Sequence, residues 1–388
     1  MVIERIDLNH FRNYEKLTLF PHEGINIFFG ANGSGKTSLL EAVHYCSLGK
    51  SHRITQDANA VMMGEKGGSC AVSVRGRYAR NEIDVRLRPG ESAVKSVWID
   101  QKKVGRLSEM MGVLRCVIFS PEDLSLIREG PAVRRRFLDM MISQLDRRYF
   151  IALQQYRAAM DQRNAILRNA RIENMAPNPM IQDFEAAMSE YGEIISRERE
   201  KYTSMLSEKG KELYREISGR DQENFEIAYH ASVHWDGAEK YPLAAVLEKS
   251  REEDLRQGST SAGPHRDELL LTLNRRNMKV FASQGQIRTA ALSMKLAQMT
   301  IFREVTDDQP ILLLDDVMSE LDLKRRMNLL RLIDGIQTFI TCSDEGDLEA
   351  WQNNRTYHVY VEDGRANLLT VKEGTRPDSP VLTEPTFE

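Results

Sequence analysis

The chain has 388 residues, of which 41% are hydrophobic and 28% charged, with a formal net charge of −4. That length exceeds the size at which one hydrophobic core stops growing, so two lobes are expected, and the composition excludes general disorder. The acidic balance excludes a uniformly basic nucleic-acid coat and leaves room for a local basic face, and no stretch approaches the roughly 20 apolar residues of a membrane helix.

Taken in chain order, residues 2–8 (VIERIDL) and 25–29 (INIFF) read as short strands, and LLEAVHYCSLG after Gly35 as a helix. Met1–Phe20 alternates charged and apolar residues without a signal-peptide core, so a cytoplasmic protein is expected. Between about 69 and 104, three runs of period-two alternation separated by turn signals such as Pro89-Gly90 predict an antiparallel sheet. VLRCVIFS at 113–120 is a further strand, ended by Pro121. From 131 to 219 helical periodicity takes over, broken at Met175–Pro179, which predicts a helical hairpin with arms of about 40 residues, roughly 60 Å each if unbroken. DELLLTL at 267–273 reads as a strand, 284–305 as a helix and PILLLDD at 310–316 as a strand buried on both faces. Residues 337–342 and 356–362 predict two more strands, and the proline-rich tail from Glu373 predicts no regular structure. Cys46, Cys70, Cys116 and Cys342 lack metal-ligand spacing and read as buried free thiols.

GANGSGKTS matches the phosphate-loop pattern in full and sits where the pattern requires, after a strand and before a helix. Gly30, Ala31, Asn32, Gly33, Ser34, Gly35, Lys36, Thr37 and Ser38 are therefore the candidate ATP-binding residues. Glycines let the backbone turn its N–H groups inward and the helix adds its N-terminal dipole, which together make an anion site. Lys36 would reach the β- and γ-phosphates and the Thr37 hydroxyl would ligate Mg²⁺. A distal acid must help hold that metal, and Asp315, at the end of the apolar strand, is the candidate, directly or through water. Asp316 beside it is placed to polarise the attacking water as general base. Paired acids that only cap the following helix are the plainer alternative.

SQGQIRTAALSMKLA at 283–297, followed by the acidic strand and by SELD at 319–322, resembles the ABC-type ATPase head, where a signature segment, a second acidic motif and a D-loop come in this order. Ser283, Gly285 and Gln286 open a helix and make a second anion site, although four such residues are also an ordinary helix cap. The resemblance is closer to the RecF family of recombination mediators. It is carried by IERIDLNHFRNYEKLTLFPHEGINIFFGANGSGKTSLLEAVHYCSLGKSHR, FSPEDLSLIREGPAVRRRFLD, TSAGPHRDEL and ASQGQIRTAALSMKLA with LLLDDVMSELD. It implies an α/β fold: an SMC-like ABC-type head, with a phosphate-loop mixed sheet and an antiparallel β subdomain, plus a compact helical lobe. The expected division is 1–125 and 256–372 for the head, 126–255 for the helical lobe and 373–388 for a flexible tail.

By the same resemblance the signature serves a second copy's nucleotide, so ATP closes a homodimer on gapped or junction DNA, and mediator partners RecR and RecO help load recombinase. The sequence also departs from its relatives. Thr341-Cys342-Ser343 stands where many ABC ATPases carry a switch histidine, and Asp316 replaces the longer glutamate. Both changes predict a weak ATPase that times release, with a nucleoid-associated protein as the implied setting. Arg134, Arg135 and Arg136, then Arg147 and Arg148, with Arg53 and His52, are the DNA-contact candidates; a solvated helix face explains the first five equally well. His265 and Arg266 read either as functional, through the resemblance, or as a salt-bridged turn. A transporter ATPase subunit is disfavoured by the form of SQGQ and by the size of the helical insertion. A freestanding kinase or GTPase is disfavoured because no guanine-reading motif is present.

Overall fold

The alternating and helical periods become elements in this computed structural model, which describes residues 1–51, 53–54, 56–91, 94–234, 240–318, 321, 323–343 and 356–371. In order these are β1 (Val2–Phe11), β2 (Tyr14–Leu19), β3 (Ile25–Phe29), α1 (Lys36–Leu48), β4 (Gly68–Arg75), β5 (Arg80–Leu87), β6 (Lys95–Ile99), β7 (Lys102–Lys103) and β8 (Cys116–Phe119). There follow α2 (Ser125–Arg128), α3 (Pro131–Leu145), α4 (Arg147–Glu173), α5 (Ile181–Ser218), β9 (Phe225–His230), α6 (Leu243–Gln257), β10 (Glu268–Leu273), β11 (Arg276–Asn277) and α7 (Met278–Phe281). The described chain ends with α8 (Gln284–Thr306), β12 (Ile311–Asp315), α9 (Leu323–Leu332), β13 (Thr338–Cys342), β14 (Thr356–Glu362) and β15 (Arg365–Val371).

Two compact units result. The first comprises Met1–Asp123, Glu216–Gly219 and the described residues from Lys295 on. It holds two six-stranded sheets, ordered β2-β1-β4-β5-β6-β7 and β15-β14-β3-β13-β12-β8. The former is antiparallel throughout. In the latter β14, β3, β13, β12 and β8 run parallel and only β15 is antiparallel. Every residue of β12 and β13 is buried, which accounts for their unbroken apolar sequences. Helix α1 is buried nearly all round: Leu39, Leu40, Val43 and Cys46 share one core with Val72 and Val85 of the antiparallel sheet and Leu313 and Phe339 of the parallel one. A helix enclosed in this way holds its N-terminus, and the loop before it, at a fixed place relative to β3 and β12. The four cysteines are buried and none is in a disulfide.

The second unit is Leu124–Arg215 with Arg220–Met294. The long helical arm expected before residue 175 is interrupted. Asp146 separates α3 from α4, and its carboxylate accepts the Arg148 N–H at 2.7 Å, capping the new helix. Helix α5 forms the return arm over 38 residues. It lies on a three-stranded sheet, β11-β10-β9, with Gly210 leaving room for Phe225 and Ile227. Residues 256–294, assigned by sequence to the head, group with this helical unit because β10 pairs with β9 along its whole length.

Strands β2, β9 and β15 and helices α6 and α9 are among the elements that escape the sequence pattern. β2, β9 and β15 are short or follow directly on a neighbour, and α6 buries only Leu243, Leu247 and Asp254, too few positions for a clear helical period.

Candidate phosphate-binding site

Between β3 and α1 the chain must curl within six residues, and two glycines allow it. Gly30 has φ 146° and a side chain there would meet the Val361 carbonyl oxygen at 2.2 Å; Gly35 has φ 120° and would meet Asn13 Nδ2 at 2.7 Å. No alternative residue adopts these angles in so close a packing. Gly35 stands at the N-cap of α1 without a side-chain cap, so the first N–H groups of the helix keep their donor capacity. Ser34 Oγ is buried and has no hydrogen-bond partner among the described residues. The Lys36 ammonium donates to the carbonyl oxygens of Gly30 and Ala31 at 2.7 and 2.8 Å. Burial lowers its pKa below the usual lysine value, against the opposing pull of Asp316 and Asp315.

The acids come to the same place. Thr37 Oγ1 donates to Asp315 Oδ1 at 2.8 Å, across 278 residues of sequence. Thr341 Oγ1, on the neighbouring strand β13, donates to the same oxygen at 2.8 Å and accepts the Asp316 N–H at 2.9 Å. One buried hydroxyl thus fixes both acids. Asp316 follows the strand with φ 52°, a conformation Asp tolerates, and it is exposed and lines the cavity. Of the three residues at the switch position, Thr341 is committed to this support, Cys342 is buried, and Ser343 is exposed at the rim.

The cavity measures about 670 Å³ and is lined by Asn32, Gly33, Gly35, Lys36, Thr37 and Ser38 at one part and by Arg53, Ile54, Asn59, Val61 and Met63 at another. Its size suits a small-molecule ligand. The residues fit nucleotide phosphates with a divalent cation: an uncapped helix N-terminus, an orphaned buried hydroxyl, a lysine, and a hydroxyl paired with a carboxylate. Among the described residues no three His, Cys, Asp or Glu side chains are grouped to hold a metal.

Sequence reasoning missed a clamp on this loop. Asn13 Nδ2 donates to the Ser34 carbonyl at 2.9 Å and Tyr14 Oη to the Gly35 carbonyl at 3.1 Å. Arg12 pairs with both oxygens of buried Glu41 at 2.9 Å. The FRNY run carries no pattern that reveals these contacts. The one local sign is conformational: His10 and Arg12 have φ values of 45° and 57°, a kink that aims the run at the loop.

In the second unit Ser283 and Gln286 form a capping box at α8. Ser283 N–H donates to Gln286 Oε1 at 2.8 Å and Gln286 N–H to Ser283 Oγ at 3.3 Å. Gln286 Nε2 also holds Glu223 at 3.0 Å, Gly285 is half-buried, and Ser283 is exposed. The cap reading is thus realised, and the exposed helix start remains open to a further acceptor. SELD loses Ser319, Glu320 and Asp322 to the region outside the described residues, as does His52.

The basic candidates separate. Arg134 is a correction: it is buried, and all three of its guanidinium nitrogens are engaged, with Glu268 at 2.8 and 2.9 Å and with the carbonyls of Leu126 and Glu129, which turns it away from the solvent a phosphate would occupy. Arg135 is half-buried and donates to the Asp267 carbonyl at 2.6 Å. Arg136, Arg147 and Arg148 are exposed, and Arg53 lies at the cavity rim. His265 and Arg266 belong to a bonded turn. His265 Nδ1 meets Tyr156 Oη at 2.7 Å and Nε2 the Thr260 carbonyl at 3.1 Å, which Arg266 Nη2 also reaches at 2.8 Å. Burial pushes the His265 pKa down, which favours a neutral ring.

A family profile described as RecF/RecN/SMC N terminal domain matches residues 2–367. The DNA replication and repair protein RecF of Clostridium acetobutylicum is 37% identical over 365 residues, 94% of this chain and 99% of that protein. The Clostridium kluyveri protein of the same name is 38% identical over 370 residues, 95% of this chain and all of its own. A solved structure described as the recombination mediator protein RecF-ATP in the RecFOR pathway matches with a TM-score of 0.87 at 33% identity, covering 95% of this chain and 98% of that one. The Smc head domain of Pyrococcus furiosus with an extended coiled coil, bound to the C-terminal domain of ScpA, matches with a TM-score of 0.54 at 16% identity. It covers 95% of this chain and 96% of that one, a likeness of fold alone. These likenesses bear out the expected ABC-type, SMC-like ATPase-head fold with its helical lobe.

Proposed function

This chain belongs to the RecF/RecN/SMC N-terminal domain family, and from that membership we propose that it is an ATP-dependent DNA-binding protein of recombinational repair and replication restart. The observation that carries the proposal is the pairing of Thr37 with Asp315 at 2.8 Å beside Lys36, in a cavity rimmed by Asp316. Lys36 exchanges its two carbonyl contacts for phosphate oxygens, and the N–H groups at the start of α1 take the remaining charge. A bound Mg²⁺ would neutralise the β- and γ-phosphates. Thr37 and Asp315 are the residues to hold it. Asp316 orients and deprotonates the attacking water, with its backbone pinned by Thr341. With no histidine at the switch position and a base one methylene shorter than glutamate, hydrolysis is slow and serves as a timer.

Ser283, Gly285 and Gln286 complete the site of a second copy, so ATP binding and head-to-head dimerisation are one event. The dimer is placed on gapped or junction DNA, where Arg136, Arg147 and Arg148 are the remaining exposed candidates for phosphate contact. RecR, RecO and recombinase are the partners, and the cytoplasmic nucleoid the setting; no described helix is long and apolar enough to cross a membrane.

Molecular mass measured in solution with and without ATP tests this reading. Wild type is expected to double in mass with ATP and to bind gapped duplex with a steep salt dependence. Ser283→Arg is expected to remain monomeric with ATP while still binding the nucleotide, because the substituted cap lies on the surface of the other unit. Dimerisation indifferent to both ATP and this substitution sinks the composite-site reading.

A further inference from the structure

Ser283 is exposed at the start of α8, yet the side chain that fixes it is itself held from outside that helix. Gln286 is shared between two partners. Its Oε1 accepts the Ser283 N–H at 2.8 Å, and its Nε2 donates to Glu223 Oε1 at 3.0 Å, across 63 residues of sequence. Glu223 lies in the turn between α5 and β9 and is 7% exposed. Both of its oxygens are engaged: Oε1 also accepts from Arg220 Nη1 at 2.9 Å, and Oε2 accepts from the Tyr214 hydroxyl at 2.7 Å. Burial works against its charge, but the hydrogen bonds from Tyr214, Gln286 and Arg220 outweigh that and hold its pKa below the usual glutamate value.

The surrounding backbone fixes this carboxylate in place. Glu223 N–H closes a turn on the Arg220 carbonyl at 3.2 Å. Asn224, the next residue, is tied twice to Asn274: its N–H donates to Asn274 Oδ1 at 2.8 Å and its carbonyl accepts the Asn274 N–H at 2.9 Å. Tyr214 is buried, and its ring stacks on Phe225 with centroids 5.2 Å apart.

A side-chain amide has an acceptor at one end and a donor at the other, whereas an ionised carboxylate only accepts. Facing Glu223, Gln286 presents its NH₂ group, which leaves its carbonyl oxygen to the Ser283 N–H. The reversed amide would set oxygen against carboxylate and NH₂ against N–H, two repulsive contacts. One buried charge therefore selects the orientation that closes the capping box. The effect reaches the exposed hydroxyl. Ser283 Oγ accepts the Gln286 N–H at 3.3 Å, so its own O–H is left to donate to an incoming acceptor.

We propose that Glu223 is a positioning residue for the start of α8: it holds the Gln286 amide in the one orientation that closes the capping box, and so readies Ser283 for the nucleotide of a second copy. This role rests on the composite-site reading above and adds to it a residue that touches no nucleotide.

The test measures mass in solution over a range of protein concentrations, for the full chain with ATP and Mg²⁺. Glu223→Gln leaves the phosphate loop untouched and is expected to bind ATP as wild type does. It is expected to need about tenfold more protein to dimerise, the effect of losing one hydrogen bond to a charged group. Turnover lost at low protein concentration is expected to return as the concentration is raised. Gln286→Ala is expected to dimerise as weakly, and the double variant no more weakly than either single one. Tyr214→Phe removes one bond to Glu223 but keeps its charge, and is expected to stay within about twofold of wild type. If Glu223→Gln dimerises like wild type, or if the double variant shows the sum of two losses, the positioning role is overturned while the composite site stands. Should Glu223→Gln lose amide-exchange protection in β9, Glu223→Asp, which keeps the charge but draws the acceptor back by one methylene, carries the same comparison with Gln286→Ala. If wild type gains no mass with ATP, the composite-site reading fails and takes the role of Glu223 with it.

Discussion

Lys36→Met is expected to reduce ATP turnover by at least about 10²–10³-fold, the range seen when one preorganised charge or donor is removed from a developing anionic centre. The argument starts from the resting contacts. The residue is 8% exposed, its ammonium donates to two loop carbonyls, and burial lowers its pKa, so it is a partly desolvated cation without an ion pair among its hydrogen bonds. Such a group strengthens its electrostatics only when phosphate oxygens replace those carbonyls. Methionine keeps the length and apolar stem of the side chain and removes the charge. Folding should be nearly unaffected, because the loop's shape depends on Gly30, Gly35 and the Asn13 and Tyr14 clamp. Steady-state phosphate release, with amide-exchange protection of α1 and β3 as the folding control, checks both halves. Turnover within threefold of wild type, or a variant that no longer folds, would contradict this account.

The phosphate loop was legible because its parts are contiguous: β3, the glycines, Lys36, Thr37 and α1 occupy one stretch, and local geometry follows from local sequence. Asp315 was legible for a different reason. An unbroken apolar run ending in acid can sit only where a fully buried strand meets the rim of a sheet, and β12 does so. What could not be read depends on partners far away in sequence. Arg134 looks, in PAVRRRFLD, like the first of three equivalent cations, yet Glu268 lies 134 residues on and takes up its guanidinium. Thr341 reads as a missing histidine, and only the register of β13 beside β12, which sets it against Asp315, reveals it as the support for both acids. DELLLTL reads correctly as a strand, but its partner β9 decides which unit it joins. SQGQ is the opposite case, since its capping box is wholly local and therefore carries no information about what lies beyond the helix end.

Arg199→Met is expected to destabilise the helical unit by roughly 3–5 kcal/mol, the usual cost of removing one partner from a buried ion pair. Arg199, on α5, is 2% exposed. Its guanidinium holds Asp139 of α3 at 2.8 Å and Asp267 at 3.3 Å, and donates to the Pro264 carbonyl at 2.6 Å. Burial works against its charge, but Asp139, Tyr149, Tyr229 and Asp267 outweigh that and push its pKa up. Around it Tyr149 donates to Asp139 at 2.5 Å, Tyr229 donates to Asp267, and Ser232 N–H reaches Asp267 at 2.8 Å. Methionine would fill much of the volume while leaving two buried carboxylates without their shared cation. The penalty lies in those orphaned charges more than in the lost bonds, so Arg199→Met with Asp139→Asn should recover part of it. Because the chain has two units, a single unfolding midpoint is a poor probe. Amide exchange resolves them: protection should fall in α3 and α5 and hold in β12 and β13. Unchanged protection in α5, or an equal fall in both units, would remove Arg199 as the tie among these helices and return the GPHRDE turn to the list of functional candidates.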